Sequence, residues 1–213
     1  MKSVVLVISI FVVAFWCSCT TASPNQGLLK LVYDINGEIL RSDTRYFVVS
    51  AKTRTGVVRG PVLFNGDANI VCPFQVMQSP RDLDRGISVY FKPKAPKQVE
   101  ITESSDVNIE FDLGNPTVCN NNVWMVEGFP LQSDNPMYLS TNGKAGYVAS
   151  WFQIKEVEDN NSTYYKLVFC HYGDEHICTD IGIDHTYGER RLAIRTGNTF
   201  NVVFIKDPFI GII

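Results

Sequence analysis

Cysteine and histidine side chains lie close together near the C-terminal end of the chain. The segments Cys170-His171 and His176-Ile177-Cys178 could supply two thiolates and two imidazoles, a ligand set that zinc accepts. The same two cysteines could instead form a disulfide if the chain folds in an oxidising compartment. The choice between these chemistries depends on where the protein is made.

The remaining candidate residues do not form a catalytic motif. No serine lies in a G-x-S-x-G setting and no H-E-x-x-H pattern occurs. The third histidine, His185, is therefore read as a turn or surface residue. We predict that the protein is not an enzyme and that it binds neither a metal nor a cofactor.

A basic segment with two prolines runs Lys92-Pro93-Lys94-Ala95-Pro96-Lys97-Gln98. Each proline fixes its own φ and disfavours the α region for the residue before it, so the segment is predicted to be extended. Serine proteases bind their substrates in extended form, and a loop that is already extended loses less entropy on docking. A lysine side chain would suit the primary pocket of a trypsin-like protease, which holds an aspartate.

The first residues of the chain have the pattern of a secretory signal. Met1-Lys2 gives a positive start, an almost wholly apolar run follows from Val4 to Trp16, and small or polar residues continue to Ala22. The apolar run is about 13 residues long, too short to span a bilayer comfortably. We predict a signal peptide over residues 1–22 and one domain over residues 23–213.

Secretion changes the interpretation of the cysteines, since an oxidising compartment favours disulfides over a zinc site. Four cysteines remain after removal of the signal: Cys72, Cys119, Cys170 and Cys178. Three pairings are possible, and the sequential one is the simplest.

A secreted chain can also carry glycans, and the overlapping sequons at Asn160 and Asn161 are candidate attachment sites.

The overall charge excludes some classes of partner. The formal net charge is −3, so neither a nucleic acid nor an anionic membrane surface is implied. Arg190-Arg191 stands beside an apolar run and is interpreted as surface charge. We predict no nucleic-acid partner, no membrane contact after signal removal, and a monomer.

The chain beyond the leader reads as short strands, because runs rich in Val, Ile, Phe and Tyr recur between Gly, Asn, Asp and Pro. Twelve strands are predicted, at 29–33, 46–50, 74–77, 87–91, 99–102, 107–111, 123–126, 147–157, 164–170, 181–184, 192–195 and 200–205. A weak repeat relates 87–92, 151–155 and 202–206, which suggests three units of four strands. The predicted fold is therefore an all-β trefoil.

Several ordered segments resemble the plant Kunitz family of protease inhibitors, of the soybean trypsin inhibitor type. They span nearly the whole predicted domain and are Val32–Leu40, Tyr46–Val48, Cys72–Ser79, Leu83–Ile87, Tyr165–Cys170, Asp180–Asp184 and Arg190–Leu192. The resemblance implies a β-trefoil with two sequential disulfides, Cys72 with Cys119 and Cys170 with Cys178. It also implies that the loop between the fourth and fifth strands presents a protease-binding bond.

That loop is the basic segment described above, and we assign its reactive-site residues as Pro93, Lys94, Ala95, Pro96, Lys97 and Gln98. Alignment with the family, backwards over Val99 to Phe111, puts Lys97 at the position whose carbonyl the protease attacks. Lys94 is the alternative. The family commonly supports this loop with an asparagine, and Ser42 stands at that position here. Serine has fewer hydrogen-bonding groups than asparagine, which predicts a looser loop.

The sequence therefore predicts a secreted inhibitor of trypsin-like serine endopeptidases that binds like a substrate. Its location would be extracellular, or a vacuole reached through the secretory pathway. Two alternatives stay open. One is a binding or storage trefoil without inhibitory activity, and the other is an inhibitor of another hydrolase class that acts through a different loop.

Overall fold

The computed structural model describes residues 29–61, 63–64, 67–68, 72–114, 119, 121–130, 134–158, 163–170 and 177–208. These residues form an all-β protein. Two short 3-10 turns, Val148–Ser150 and Thr186–Gly188, are the helical pieces within the described part. The predicted signal peptide and both glycosylation candidates, Asn160 and Asn161, lie outside the described residues.

Fourteen strands occur in the described part of the chain. In order they are β1 Tyr46–Ser50, β2 Val57–Gly60, β3 Leu63–Phe64, β4 Asp67–Ala68, β5 Gln75–Gln78, β6 Val89–Pro93, β7 Val107–Phe111, β8 Val123–Val126, β9 Met137–Gly143, β10 Gln153–Val157, β11 Tyr164–Cys170, β12 Cys178–Asp184, β13 Arg191–Ile194 and β14 Asn201–Lys206. Most are four to seven residues long, the usual length of strands in barrels and sandwiches.

Twelve of the strands form one sheet with the order β10-β11-β12-β13-β5-β9-β8-β7-β6-β1-β14, and β2 joins it by pairing with β5. All of these pairings are antiparallel. Strand β14 pairs with β11 as well as with β1, and this contact closes the sheet into a ring. Each strand of the ring is thus paired on both sides, whereas β10 and β2 each pair with one strand among the described residues. Paired edges are protected from the aggregation to which free edges are prone.

A single apolar cluster lies at the centre of this ring. Alternate residues of the strands point inward, so the cluster combines large aromatic and branched side chains from widely separated parts of the chain. The rings of Phe91 and Phe204 meet edge to face at 5.3 Å, and those of Phe111 and Trp124 lie 5.3 Å apart. Such pairs stabilise the core beyond their buried area, by about 0.5–1.5 kcal/mol each.

Both disulfides are present and are sequential. Cys72 is joined to Cys119, and Cys170 is joined to Cys178. The thiolates that a zinc site at Cys170 and Cys178 would need are therefore consumed. Among the described residues there is no group of three or more His, Cys, Asp or Glu side chains placed to hold a metal, and no helix long and apolar enough to cross a bilayer.

Three of the predicted strands were wrong, and four strands of the described residues were not predicted. Residues 99–102 and 29–33 do not form strands but contribute isolated bridges, such as Leu31 with Thr102. The predicted strand at 147–157 begins instead with a 3-10 turn and becomes regular only at Gln153. Strands β2, β3, β4 and β9 were not predicted, and β9 was hidden because its sequence, MYLSTNG, ends in residues typical of turns.

The hairpin of β6 and β7 carries the predicted reactive loop. The two strands pair from Val89 with Phe111 to Pro93 with Val107, so the residues between them project from the end of a regular ladder. The start of β1 touches β6 through Tyr46 and Val89. This contact brings the segment before β1, which contains Ser42, close to the projecting loop.

Candidate functional site

The loop between β6 and β7 is only partly extended. Lys92 and Pro93 belong to β6. Residues Ala95 to Gln98 form a tight turn, in which the Gln98 amide donates a hydrogen bond to the Ala95 carbonyl at 3.0 Å. The candidate bond between Lys97 and Gln98 therefore lies on the downstream side of a closed turn.

The prediction of an extended segment over residues 92–98 is thus wrong in its second half. Proline does not dictate an extended segment, because its fixed φ also suits the second position of a β-turn. Pro96 occupies that position in the turn from Ala95 to Gln98. The same residue that was expected to hold the loop open helps to fold its tip.

The first two lysines of the loop are engaged with the body of the protein. The ammonium group of Lys92 donates to the carbonyl of Ser42 at 3.0 Å and lies 4.3 Å from the centre of the Tyr90 ring. The ammonium group of Lys94 forms an ion pair with Asp106, at 2.9 Å from Oδ2. Neither charge is displayed freely towards a partner.

Lys97 differs from both. It is exposed on the turn, and within the described part of the chain its ammonium group makes no hydrogen bond or ion pair. Of the three loop lysines, it is the one whose charge is available for a deep acidic pocket without first breaking an internal contact.

Ser42 contacts the downstream side of the loop from the body of the protein. Its amide donates to the Val99 carbonyl at 2.7 Å, and its hydroxyl donates to the Gln98 carbonyl at 3.3 Å. The main-chain contact is the shorter one and does not depend on the type of side chain. A serine at this position therefore still holds the loop at Val99, while its side chain adds a longer bond at Gln98.

Two further residues, neither of them predicted from the sequence, hold the upstream side. Asp106 accepts from Lys94 through Oδ2 and from the buried Gln153 side chain through Oδ1, at 2.9 and 3.0 Å. Its carbonyl also accepts from the Lys94 amide at 2.9 Å. No local signal could have identified this set, because Gln153 lies 47 residues from Asp106 in the sequence.

The side chain of Gln98 was also not anticipated as a structural element. Its Nε2 donates to the Glu100 carbonyl at 2.9 Å and to the Thr102 hydroxyl at 3.1 Å. The spacing of 98, 100 and 102 is a usable signal, since alternate residues of an extended segment face the same side. The sequence pattern alone did not show that Gln98 turns back along its own chain.

Comparison with known proteins identifies relatives along almost the whole chain. A family model described as trypsin and protease inhibitor, of the legume Kunitz type, matches residues 32–206. Trypsin inhibitor A of Glycine max is 29% identical over 210 residues, which cover 93% of this chain and 91% of that protein. Miraculin of Synsepalum dulcificum is 30% identical over 83% of this chain and 81% of its own length.

Solved structures give the same picture. Soybean trypsin inhibitor in complex with porcine pancreatic trypsin superposes with a TM-score of 0.66 at 25% identity, over 84% of this chain and 99% of the inhibitor. A water-soluble chlorophyll protein from Brassica oleracea superposes with a TM-score of 0.67 at 24% identity and shares the fold. The same architecture therefore occurs in proteins whose names describe different ligands.

Proposed function

Because the chain belongs to the legume Kunitz family of trypsin and protease inhibitors, we propose that it inhibits serine endopeptidases of trypsin-like specificity. The inhibitory bond joins Lys97 to Gln98. In this proposal the protein is secreted after removal of residues 1–22, folds as a threefold β-trefoil and acts as a monomer.

The observation that carries the proposal is the free ammonium group of Lys97 at the tip of an anchored loop. The neighbouring lysines are bound to Ser42 and Asp106, whereas Lys97 has no such contact among the described residues. A trypsin-like primary pocket ends in an aspartate and selects for a basic side chain. A free, exposed lysine on a fixed scaffold meets that requirement directly.

Docking in substrate form requires the turn to open. The hydrogen bond from the Gln98 amide to the Ala95 carbonyl closes the turn across the bond to be attacked. Breaking one such bond costs about 1 kcal/mol net. An inhibitor interface of the usual ~1,600 Å² offsets a cost of this size, so the turn lowers affinity modestly without preventing binding.

Inhibition follows from the strands on either side of the loop. After the protease serine attacks Lys97, the new amino terminus at Gln98 is held by the Ser42 hydroxyl through the Gln98 carbonyl, and the acyl end is joined through Lys94 to Asp106 and to β6. The two ends therefore remain close together. A group held next to its reaction partner has a high effective concentration, so religation competes with hydrolysis.

A titration of trypsin tests the proposal directly. We expect the wild-type protein to inhibit trypsin stoichiometrically and a Lys97→Ala variant to lose at least about 100-fold in affinity, since a buried charged anchor is worth several kcal/mol. Lys94→Ala is the matched control, because it removes an equal charge from the same loop. Equal inhibition by wild type and Lys97→Ala would show that Lys97 is not the specificity residue.

A second candidate function is binding without protease inhibition. The closed turn favours it, because a loop that stays folded at Ala95 to Gln98 does not present a substrate-like bond. Miraculin and the chlorophyll protein are relatives whose names describe no inhibition. Absence of inhibition of trypsin, chymotrypsin and subtilisin by correctly folded protein would favour this candidate.

A third candidate is inhibition of another hydrolase class through a different surface. A rice bifunctional α-amylase/subtilisin inhibitor superposes with a TM-score of 0.63 at 26% identity. Crosslinking to the inhibited enzyme separates this candidate from the first, because crosslinks would then map away from residues 92–98.

A further inference from the structure

The side chain of Gln98 folds back onto its own strand. Its Nε2 donates to the Glu100 carbonyl at 2.9 Å and to Thr102 Oγ1 at 3.1 Å, while the carbonyl of Gln98 accepts from the Ser42 hydroxyl. Gln98 is thus bound through both its side chain and its main chain on the downstream side of the loop.

The far end of this contact is fixed in the protein body. Thr102 is only 5% exposed and bridges to Leu31 in an antiparallel arrangement. The next residue back, Ile101, is fully buried and its amide donates to the Leu40 carbonyl at 2.9 Å. The glutamine side chain is therefore attached to a rigid part of the molecule.

The contacts of the loop divide it at the proposed reactive bond. Lys94 is attached to Asp106 on the upstream side, and Gln98 is attached to Thr102 on the downstream side. Ala95, Pro96 and Lys97 lie between these anchors, and no described side chain contacts them through a hydrogen bond or ion pair. After a cut following Lys97, the acyl end stays joined to the Lys94 anchor through Ala95 and Pro96, and the amino end is held directly by the contacts of Gln98.

We propose that Gln98 is a positioning residue that holds the newly formed amino group against the acyl-enzyme and so favours religation over hydrolysis. This inference rests on the proposed function and deepens it. It assigns the persistence of inhibition to a side chain that is hydrogen-bonded to the inhibitor's own backbone and to Thr102.

The chemistry specifies what Gln98 must hold. In acylation, the protease serine oxygen bonds to the Lys97 carbonyl carbon, the bond to the Gln98 nitrogen breaks, and the serine proton passes through the protease base to that nitrogen. In religation, the Gln98 amine attacks the same carbon, the ester bond breaks, and the amine proton returns through the base to the serine oxygen. Attack by water instead leaves a carboxylate at Lys97 and a nicked inhibitor.

The partition between these two attacks depends on how often the amine lies next to the ester. Two hydrogen bonds from the Gln98 side chain restrict the rotation of the residue that carries the amine. Without them the amine samples more positions, its effective concentration falls and water succeeds more often. The association step is unaffected by this difference, because the amine does not exist before acylation.

Two variants test this role from opposite ends of the contact. Gln98→Met keeps the length of the side chain and removes both hydrogen bonds, and Thr102→Val removes the buried acceptor while leaving Gln98 in place. Thr53→Val is the matched control, because Thr53 accepts from Gln78 at 3.3 Å in an equivalent glutamine–threonine pair that is not part of the loop. Each protein is incubated with catalytic trypsin, and nicking is followed by mass spectrometry.

We expect nicking to be about fivefold faster for Thr102→Val and about tenfold or more for Gln98→Met, with unchanged association rates, since one hydrogen bond corresponds to about a factor of five. Starting from nicked protein, both variants should regenerate less intact inhibitor than wild type or Thr53→Val. Thr53→Val loses an equivalent hydrogen bond outside the loop. If general destabilisation changed the ratio of intact to nicked inhibitor, the ratio would therefore change in Thr53→Val as well.

The failures of the two proposals are distinguishable. If wild type inhibits trypsin and both loop variants are nicked and religated at the wild-type rates, the role of Gln98 is overturned and the proposed function stands. If wild type neither inhibits trypsin nor is nicked after Lys97, the proposed function is overturned and this inference falls with it.

Discussion

The carboxylate of Asp84 stabilises the turn that follows β5. One oxygen accepts from the Gly86 amide at 2.9 Å and the other from the Ser79 hydroxyl at 2.7 Å. These bonds, that of Gly86 first, lower the pKa of the Asp84 carboxyl below its ordinary value despite partial burial. The ionised form is therefore favoured in the folded protein.

A pH dependence of stability follows at this residue. Because the folded-state pKa is lowered, the stabilisation is complete above the unfolded-state pKa of about 3.9 and is lost as the pH falls through the lower folded value. Asp84→Asn should lower the free energy of unfolding at pH 7 by about 1–2 kcal/mol, and the difference from wild type should shrink near pH 2. Urea denaturation at both pH values measures this.

The exposed neighbour Asp82 provides the control for that measurement. Asp82→Asn makes the same chemical change in the same turn without removing the two bonds to Gly86 and Ser79. If both variants lose equal stability at pH 7, the Asp84 hydrogen bonds do not account for the effect.

Arg191 shows where reasoning from single residues was wrong. It was read as surface charge, yet it is 8% exposed, its guanidinium carbon lies 3.8 Å from the centre of the Tyr138 ring, and Nε lies 3.2 Å from Glu189 Oε2. The sequence shows a charged pair beside an apolar strand. It does not show that Tyr138, 53 positions earlier, supplies an aromatic face that accommodates the cation.

At the scale of elements, strands with strong apolar patterns were predictable to the residue. The bounds of β7 and β11 agree with the prediction, because their branched and aromatic residues are flanked by clear turn signals. Strand β9 was missed, since Ser140, Asn142 and Gly143 are residue types typical of turns. Ser140 and Thr141 are nevertheless fully buried, which is decided by neighbours that are distant in sequence.

The end of β9 provides a test of close packing between elements. A methyl group at Gly143 would lie 2.6 Å from the carbonyl oxygens of Val123 and Trp124 and 2.7 Å from Ser150 Oγ. Backbone atoms cannot move aside easily, so Gly143→Ala should destabilise the protein by about 2–3 kcal/mol. Thermal unfolding followed by circular dichroism would measure the change.

Gly60 in β2 is the matched control for Gly143. A methyl group there would meet the Met77 sulfur at 2.6 Å, a flexible side chain that can rotate away. Gly60→Ala should therefore cost less than Gly143→Ala. The reverse order would contradict the view that β8 and β9 approach too closely for any side chain.

The loop between β6 and β7 was predictable in position but not in shape. The apolar strand patterns at 87–91 and 107–111 place it between two strands, which pair regularly from Val89 to Pro93. Its tip is closed by the hydrogen bond from the Gln98 amide to the Ala95 carbonyl, and proline is compatible both with an extended segment and with the second position of a β-turn. Preferences of single residues do not decide between such conformations.

For the whole molecule, the disulfide between Cys72 and Cys119 encloses the proposed reactive bond. The two cysteines lie 47 residues apart, and the bond between Lys97 and Gln98 falls between them. A cut at that bond therefore leaves the two fragments covalently joined. The second disulfide joins Cys170 to Cys178, which lie 8 positions apart, and it does not span the cut.

The two disulfides should also differ in their effect on stability. The chain-entropy model gives about 4 kcal/mol for the loop closed by Cys72 and Cys119 and about 2.5 kcal/mol for that closed by Cys170 and Cys178. Replacing each pair by serine and measuring urea denaturation tests the order. Greater destabilisation by loss of the shorter loop would contradict an account based on loop closure.

The central claim is that a closed all-β scaffold presents the bond between Lys97 and Gln98 to a trypsin-like protease and keeps both ends in place after attack. Incubation with catalytic amounts of trypsin at mildly acid pH, followed by mass spectrometry with and without reductant, tests it most directly. The account predicts one hydrolysed bond, a single new amino terminus at Gln98, and two fragments that separate only after reduction. Cleavage after Lys94 instead, or no cleavage and no inhibition, would contradict it.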